Sequence, residues 1–440
     1  MPRDVLVCRP SCPAPARRPS APADPAWYSG RPSPYYKPHH AAWRNKLRAF
    51  VDAEITPNVH EWDEQKKLPL ELFRKMGAAG VLPGFVGEWP SGLVDASMDP
   101  PAWDGFNTLI AVDELSRCGS GGVVWGVIGG LGIGLPPVLR FGTEEMKRRV
   151  AQPVLRGEKV ICLAITEPTG GSDVANLRTS AVKDEANGCF VLNGNKKWIT
   201  NGVFADYFVV ACRTGGKGMW GVSLLLVEKD MPGVTCKQMD CMGVWASGTT
   251  YIEFDDVKVP FANLIGPENG GFMCMMSNFN HERLGIVFQA IRFSRVCLED
   301  AFKFAMKRKT FGKRLVDHQV IRHKLADMAR EIEACQAHCE AMVYEMQALH
   351  DSGASMQEEM KIGGDTALLK VQSTRMFERC AREAAQIFGG ASYVRGGQGE
   401  RVERLYREVR ALAIPGGSEE IMLELASGMA IKGMEKATSK

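Results

Sequence analysis

The amino-acid sequence predicts an α+β chain made of an N-terminal helical domain, a central mainly antiparallel β domain and a C-terminal four-helix-bundle domain. Three observations carry that prediction. Apolar residues recur at helical spacing from about His39 to Glu158, fall to a period of two from Val160, and return to helical spacing after Gly270-Gly271. The blocks so defined are residues 38–159, 160–272 and 273–432, flanked by an extension over 1–37 and a tail over 433–440.

The extension is rich in Pro, Ala, Ser and Arg, with only Asp4 and Asp24 acidic, and such a segment cannot bury enough apolar surface to order itself. It reads as a disordered or a targeting segment. Its arginine excess resembles a mitochondrial transit peptide, while its prolines would break the amphipathic helix such peptides form. The mitochondrial matrix is the expected compartment, with cytosol or peroxisome as alternatives. The final Ala-Thr-Ser-Lys is no peroxisomal tripeptide.

In the first domain Trp43, Leu47, Phe50 and Val51 share a helix face, and Leu68 to Gly77 and Phe106 to Arg117 keep the period. Thr143 followed by two glutamates starts a further helix through Leu155. The apolar run near Val123 to Leu139 is interrupted by glycines and a Pro-Pro pair. It is therefore expected as one or two buried Gly-rich helices, short of the ~20 apolar residues that span a bilayer.

Strands are expected at Val160 to Thr166, Cys189 to Asn193, Tyr207 to Arg213, Val222 to Glu228 and Tyr251 to Val259. Turn signals such as Asn187-Gly188 and Asn201-Gly202 separate them. In the last domain Leu284, Val287, Phe288, Ile291, Leu298, Phe302 and Ala305 line a long helix. Others follow at Gln319 to Leu349, at Asp365 to Gly389 and near the end.

Composition narrows the function. The chain has 440 residues, and its net charge of +3 is too small to make nucleic acid the main partner. Thirteen cysteines follow no framework spacing and read as reduced thiols. Cys335, His338 and Cys339 share a helix face, but no fourth ligand accompanies them, so no metal site is expected.

Two segments carry the densest chemical signal. Leu163-Ala164-Ile165-Thr166-Glu167-Pro168-Thr169-Gly170-Gly171-Ser172-Asp173 is a strand opening into a Gly-Gly-Ser loop, able to offer N–H groups and hydroxyls to an anion. It is neither a Walker loop nor a GxGxxG fingerprint. In Asn193-Gly194-Asn195-Lys196-Lys197-Trp198-Ile199-Thr200-Asn201-Gly202, Trp198 and Thr200 two apart on a strand would face one side, which suits a flat aromatic ligand.

Together these segments resemble the acyl-CoA dehydrogenase family, whose "TEPxxGSD" and "GxKxWITNG" patterns both stand here. So do its later marks: Arg308 to Lys313 with His318-Gln319, then Gln386 to Gly390, then Ile414 to Met422. The resemblance covers nearly all of the chain after the extension, in order. It implies the acyl-CoA dehydrogenase-like fold, an FAD cofactor, and an acyl-CoA substrate oxidised to a trans-2-enoyl-CoA. It also implies an electron-transfer flavoprotein as partner and a homo-oligomer, tetramer or dimer. It would place Leu163, Ile165, Thr166, Gly171, Ser172, Trp198 and Thr200 at FAD. Arg308, Phe311, Gln319 and the stretch Gln386, Ile387, Phe388, Gly389, Gly390 would reach a neighbouring subunit's FAD, with Ser418 and Glu420 near the cofactor. Ser172, Arg283 and Gly417 would contact substrate.

One departure decides where the base lies. Many members carry it as Glu in a C-terminal "Tyr-Glu-Gly-Thr" segment, and here Pro415-Gly416-Gly417-Ser418 stands instead. The isovaleryl- and long-chain-type branches place it in a "Glu-Arg" pair opening the long core helix, which corresponds to Glu282-Arg283. Glu282 is thus expected to remove the α-proton while hydride leaves for flavin N5. The Gly416 N–H would bind the thioester oxygen. Glu419 and Glu420 read as first-turn acids after an Ser418 cap. A flavin oxidase of the same superfamily using oxygen, or a non-catalytic flavin or acyl-CoA binder, are the alternatives.

Overall fold

The computed structural model describes residues 24–87, 92–95 and 103–438. The expected order of helices, sheet and helices is what the chain adopts. The first domain contains α1 (Pro38–Phe50), α2 (Val59–Glu64), α3 (Leu70–Ala78), α4 (Gly105–Ser116), α5 (Gly121–Ile128), α6 (Pro136–Phe141), α7 (Glu144–Met146) and α8 (Gln152–Leu155). Side chains start several of them. Asp104 accepts from Phe106 N at 3.0 Å, Ser120 Oγ from Val123 N at 3.2 Å and Thr143 Oγ1 from Met146 N at 3.1 Å, each satisfying an N–H that a first helical turn leaves unpaired.

Residues 24–37, placed by composition in the extension, pack against this domain. Trp27 stacks on Tyr36 with ring centroids 4.0 Å apart, and the Tyr28 hydroxyl donates to Asp113 at 2.7 Å. Asp24 pairs with Arg48 at 3.1 Å. The aromatic residues Trp27, Tyr28, Tyr35 and Tyr36 supply the burial that the Pro- and Ala-rich start lacks, and residues 1–23 lie outside the described chain.

From Gly121 to Phe141 the helical path is continuous over 21 residues, with a π-helical stretch at Gly129–Gly134, and its mean hydropathy reaches 1.7. That is long and apolar enough to cross a bilayer, contrary to the expectation from the glycines and prolines. Here 67% of its most apolar window is buried against the rest of the protein.

The central domain is one sheet of β1 (Ile161–Ala164), β2 (Ser180–Asp184), β3 (Cys189–Ile199), β4 (Tyr207–Arg213), β5 (Val222–Glu228), β6 (Val234–Gln238), β7 (Thr250–Pro260) and β8 (Leu264–Ile265). The order is β6-β7-β3-β2-β4-β5-β8, and β1 adds to β4 in parallel. Every other pairing is antiparallel apart from a single β2–β4 pair. Its own core, with Phe190, Leu192, Phe208, Val210 and Ile252, is separate from the larger core that joins the two helical domains.

The last domain begins with α9 (Gly271–Met276) and continues through α10 (Phe279–Lys307), α11 (Gln319–Asp351), α12 (Met356–Glu359), α13 (Gly363–Phe388), α14 (Glu400–Ala413) and α15 (Glu419–Thr438). Helix α10 packs against α11, α13, α14 and α4 and so forms the spine shared by both helical domains. Cys335 and Cys339 are buried in α11. Burial pushes the Cys335 thiol up to about 12 and Cys339 well above its usual range.

Candidate active site

The loop after β1 is held in shape by a buried ion pair. Glu167 accepts from Arg178 N at 2.6 Å, Thr179 N at 2.8 Å and Lys196 Nζ at 2.9 Å, and Lys196 also donates to Ile165 O at 2.8 Å. Burial pushes the Glu167 carboxyl up, but Lys196 and these donors outweigh it and hold it below its ordinary value. Reciprocal backbone bonds between Glu167 and Gly170, 3.1 and 3.2 Å, close a tight turn. Lys197 N donates to Thr166 O at 2.9 Å, joining the two predicted cofactor segments directly. Gly171 and Ser172 then stand exposed at the tip, with Leu163, Ile165 and Thr166 half-buried behind them.

Trp198 and Thr200 do not share a regular strand face as the two-residue spacing suggested. The β3–β7 register shifts between Lys196 and Ile199, Trp198 takes a left-handed φ of 60°, and Thr200 lies just past the strand end. The irregularity re-aims the indole, which is 51% exposed with the Lys197 ammonium 4.6 Å from its ring. Thr200 instead reaches the glycine-rich helix: a Cβ placed on Gly129 would lie 2.7 Å from Thr200 Cγ2. Beside it, Trp125 Nε1 donates to Gln289 Oε1 at 2.9 Å, tying α5 to α10.

Glu282 lies in the first turn of α10. Its carboxyl group has no hydrogen-bond partner among the described residues. Burial pushes it up to about 7, with Arg283 and Lys370 pulling the other way. One turn on, Ile286 faces the turn that joins α14 to α15: a Cβ on Gly416 would lie 2.7 Å from Ile286 Cδ1. Gly416 has φ +68°, and Arg283 Nε donates to its carbonyl at 3.2 Å. Its N–H donates to no group among the described residues. Glu282, Arg283 and Gly416, more than 130 positions apart in part, are thus brought to one place. Gly417 is held there too, its carbonyl accepting from Lys370 Nζ at 2.8 Å. His281 points to a different face of α10, where burial lowers it to about 4 and keeps it neutral.

On that other face is a cavity of about 210 Å³ whose lining includes Val86, Thr108, His281, Leu284, Phe288 and Gln347. Nothing in the sequence signalled it, because its walls come from α4, α10, α11 and α12.

A larger cleft of about 990 Å³ lies at the far end of the bundle, lined by Phe304, Lys307, Arg308, Thr310, Ile387, Phe388, Gly389 and Gly390 among others. Arg308 and the Gly-Gly turn, 81 positions apart in sequence from Arg308 to Gly389, converge here. Phe311, 96% exposed, and the exposed Gln319 and Gln386 stand outside this lining. Ser418 Oγ accepts from Ile421 N at 3.4 Å, with Glu419 and Glu420 in the first turn of α15.

These residues fit a flavin dinucleotide. The tip at Gly171 and Ser172 offers unshielded N–H and hydroxyl donors, and a large indole stands open beside it. The cleft offers a guanidinium with no partner among the described residues next to Gly389 and Gly390, where a Cβ would meet nothing within 4 Å. Sequence reasoning missed Lys196 as the anchor of the first segment and Lys370 beside Gly417. A lysine in the apolar run Leu368-Leu369-Lys370-Val371 was the available signal for the second.

Three family descriptions match the chain in succession: acyl-CoA dehydrogenase N-terminal domain at residues 37–158, middle domain at 162–257 and C-terminal domain at 269–429. Among curated proteins it is 41% identical to acyl-CoA dehydrogenase AFT10-1 of Alternaria alternata, over 95% of this chain and 97% of that one. It is 31% identical to the caffeyl-CoA reductase-Etf complex subunit CarC of Acetobacterium woodii, over 90% of this chain and 100% of that one. Among solved structures it superposes with a TM-score of 0.78 on a glutaryl-CoA dehydrogenase from Mycobacterium smegmatis in complex with FADH2. The two are 26% identical, over 91% of this chain and 96% of that one.

Proposed function

This chain belongs to the acyl-CoA dehydrogenase family and is an FAD-dependent oxidoreductase, and from that premise we propose that Glu282 is its base, yielding a trans-2-enoyl-CoA. The observation that carries the proposal is a carboxyl group without a hydrogen-bond partner among the described residues, pushed up to about 7, on the helix face against which Gly416 packs. Position 416 has no side chain that could act instead.

FAD, when bound, supplies a two-electron acceptor for the hydride lost from the β-carbon. The chain's residues act on the other carbon. Glu282 removes the α-proton, and the burial that raises its pKa also makes it a stronger base than a solvated carboxylate. Charge then develops on the thioester oxygen, and the free Gly416 N–H is the donor available to meet it. Arg283 bonds the Gly416 carbonyl, which fixes the turn while leaving part of the guanidinium for the CoA moiety. Gly417 and Ser172 are the other proposed substrate contacts.

An electron-transfer flavoprotein is the proposed acceptor, in keeping with the Etf-complex relative. A homo-oligomer completes the cleft at Arg308, and the mitochondrial matrix is the proposed compartment, on the arginine-rich start. Anaerobic addition of saturated acyl-CoAs of varied length and branching should bleach the bound flavin. Glu282→Gln should keep flavin and ligand binding but lose about 10²- to 10⁴-fold in turnover. Near-normal turnover in that variant refutes the assignment, and rapid peroxide formation in air would make the enzyme an oxidase.

A further inference from the structure

Lys370 lies inside the bundle, on α13, with its side chain fully buried. Its Nζ donates to Ala413 O at 2.6 Å and to Gly417 O at 2.8 Å. Those two carbonyls bracket Ile414-Pro415-Gly416, so a single ammonium ties both ends of the turn to α13. Burying a cation is costly unless partners compensate it. Among the described residues no carboxylate lies within ion-pair distance of this one. A neutral donor would serve as a strap between carbonyls at less cost. What the ammonium adds is charge, and Glu282 is among the groups it reaches.

We propose that Lys370 is a positioning residue for proton abstraction: its two bonds set the turn that presents the Gly416 N–H, and its charge favours the ionised form of Glu282. The proposal rests on the reading of Glu282 as the base. Other charges surround the pair. Arg283 on α10 acts on Glu282 in the same sense as Lys370, whereas burial acts against both. On Lys370 itself burial is the largest influence and lowers it to about 8, leaving it mostly protonated at neutral pH. Glu419 on α15 and Glu282 favour its charge, and Arg283 and Arg410 on α14 oppose it.

The test compares kcat and the pH profile of kcat/KM in the FAD-loaded wild type and in Lys370→Met, Lys370→Gln and Lys370→Arg, with an acyl-CoA that bleaches the wild-type flavin. In Lys370→Met, kcat should fall about tenfold or more through the loosened turn. The acid limb should move to higher pH by at least about half a unit as the favourable charge is lost. Lys370→Gln, a neutral donor, should show the same shift of the limb with a smaller loss of kcat, and it carries the charge test if the Met variant does not fold. Lys370→Arg should hold the limb at its wild-type position. An unmoved limb in flavin-replete Lys370→Gln, with kcat within about twofold of wild type, overturns the proposal. If Glu282→Gln is inactive alongside that result, only the role of Lys370 falls. If Glu282→Gln stays active, both readings fall.

Discussion

In the proposed reaction Glu282 and Gly416 would divide one task between distant parts of the chain, one bringing the carboxylate and the other the space and the N–H. The pKa of about 7 at Glu282 gives the division a pH signature. A base at Glu282 would work only when ionised, so kcat/KM should rise as pH increases through about 7 and level off above it. A pH profile on the free-enzyme parameter checks this, and full activity retained at pH well below 7 would contradict it. Gly416→Ala should be poorly tolerated for two reasons at once. The left-handed φ of +68° strains a residue with a Cβ, and that Cβ would make the tip of the Ile286 side chain, 2.7 Å away, shift within the site. We expect kcat to drop about tenfold or more with flavin content unchanged, measured by steady-state kinetics and the flavin spectrum.

At the scale of elements, the loop proposed to hold flavin depends on the strand beside it. Lys196 is fully buried on β3 and satisfies both Glu167 and the Ile165 carbonyl. Lys196→Met would leave the buried Glu167 without its counter-ion, holding only its two backbone N–H donors, and breaking a buried pair in this way typically costs up to about 3–5 kcal/mol. Urea unfolding should report that loss, and the purified variant should carry little flavin. The same elements show what a sequence discloses. Tyr207–Arg213 and Val222–Glu228 were read at their observed limits, because both are continuous apolar runs buried on each face. Ser180–Asp184 and Val234–Gln238 were missed, since β2 mixes polar residues into its run and β6, at the sheet edge, is largely exposed. The roles proposed for Glu282 and the Gly416 turn rest on a family pattern. The left-handed backbone at Trp198 was not legible, because a register shift is a property of two paired strands.

At the scale of the molecule, the three domains are fastened at one point. The buried Glu408 of α14 accepts from Gly121 N at 2.7 Å, Gly122 N at 3.3 Å and Val244 N at 3.2 Å, so it caps α5 of the first domain and grips the central domain together. Nearby, Arg407 pairs with the buried Asp63 at 3.0 Å and lies 4.1 Å from the Trp245 ring. Glu408→Ala would leave three buried N–H groups without their acceptor, at about 1–3 kcal/mol each where water cannot replace it. Its unfolding midpoint in urea should therefore fall clearly below that of the wild type. The position of this clasp in the chain also bears on biosynthesis. While the polypeptide is being made, Gly121 N and Gly122 N at the start of α5 have only water to accept from them until residue 408, some 287 positions after Gly121, has emerged from the ribosome. The first two domains are thus completed only after translation is nearly finished, and a chain halted before α14 should present an unfinished helix end to chaperones and proteases.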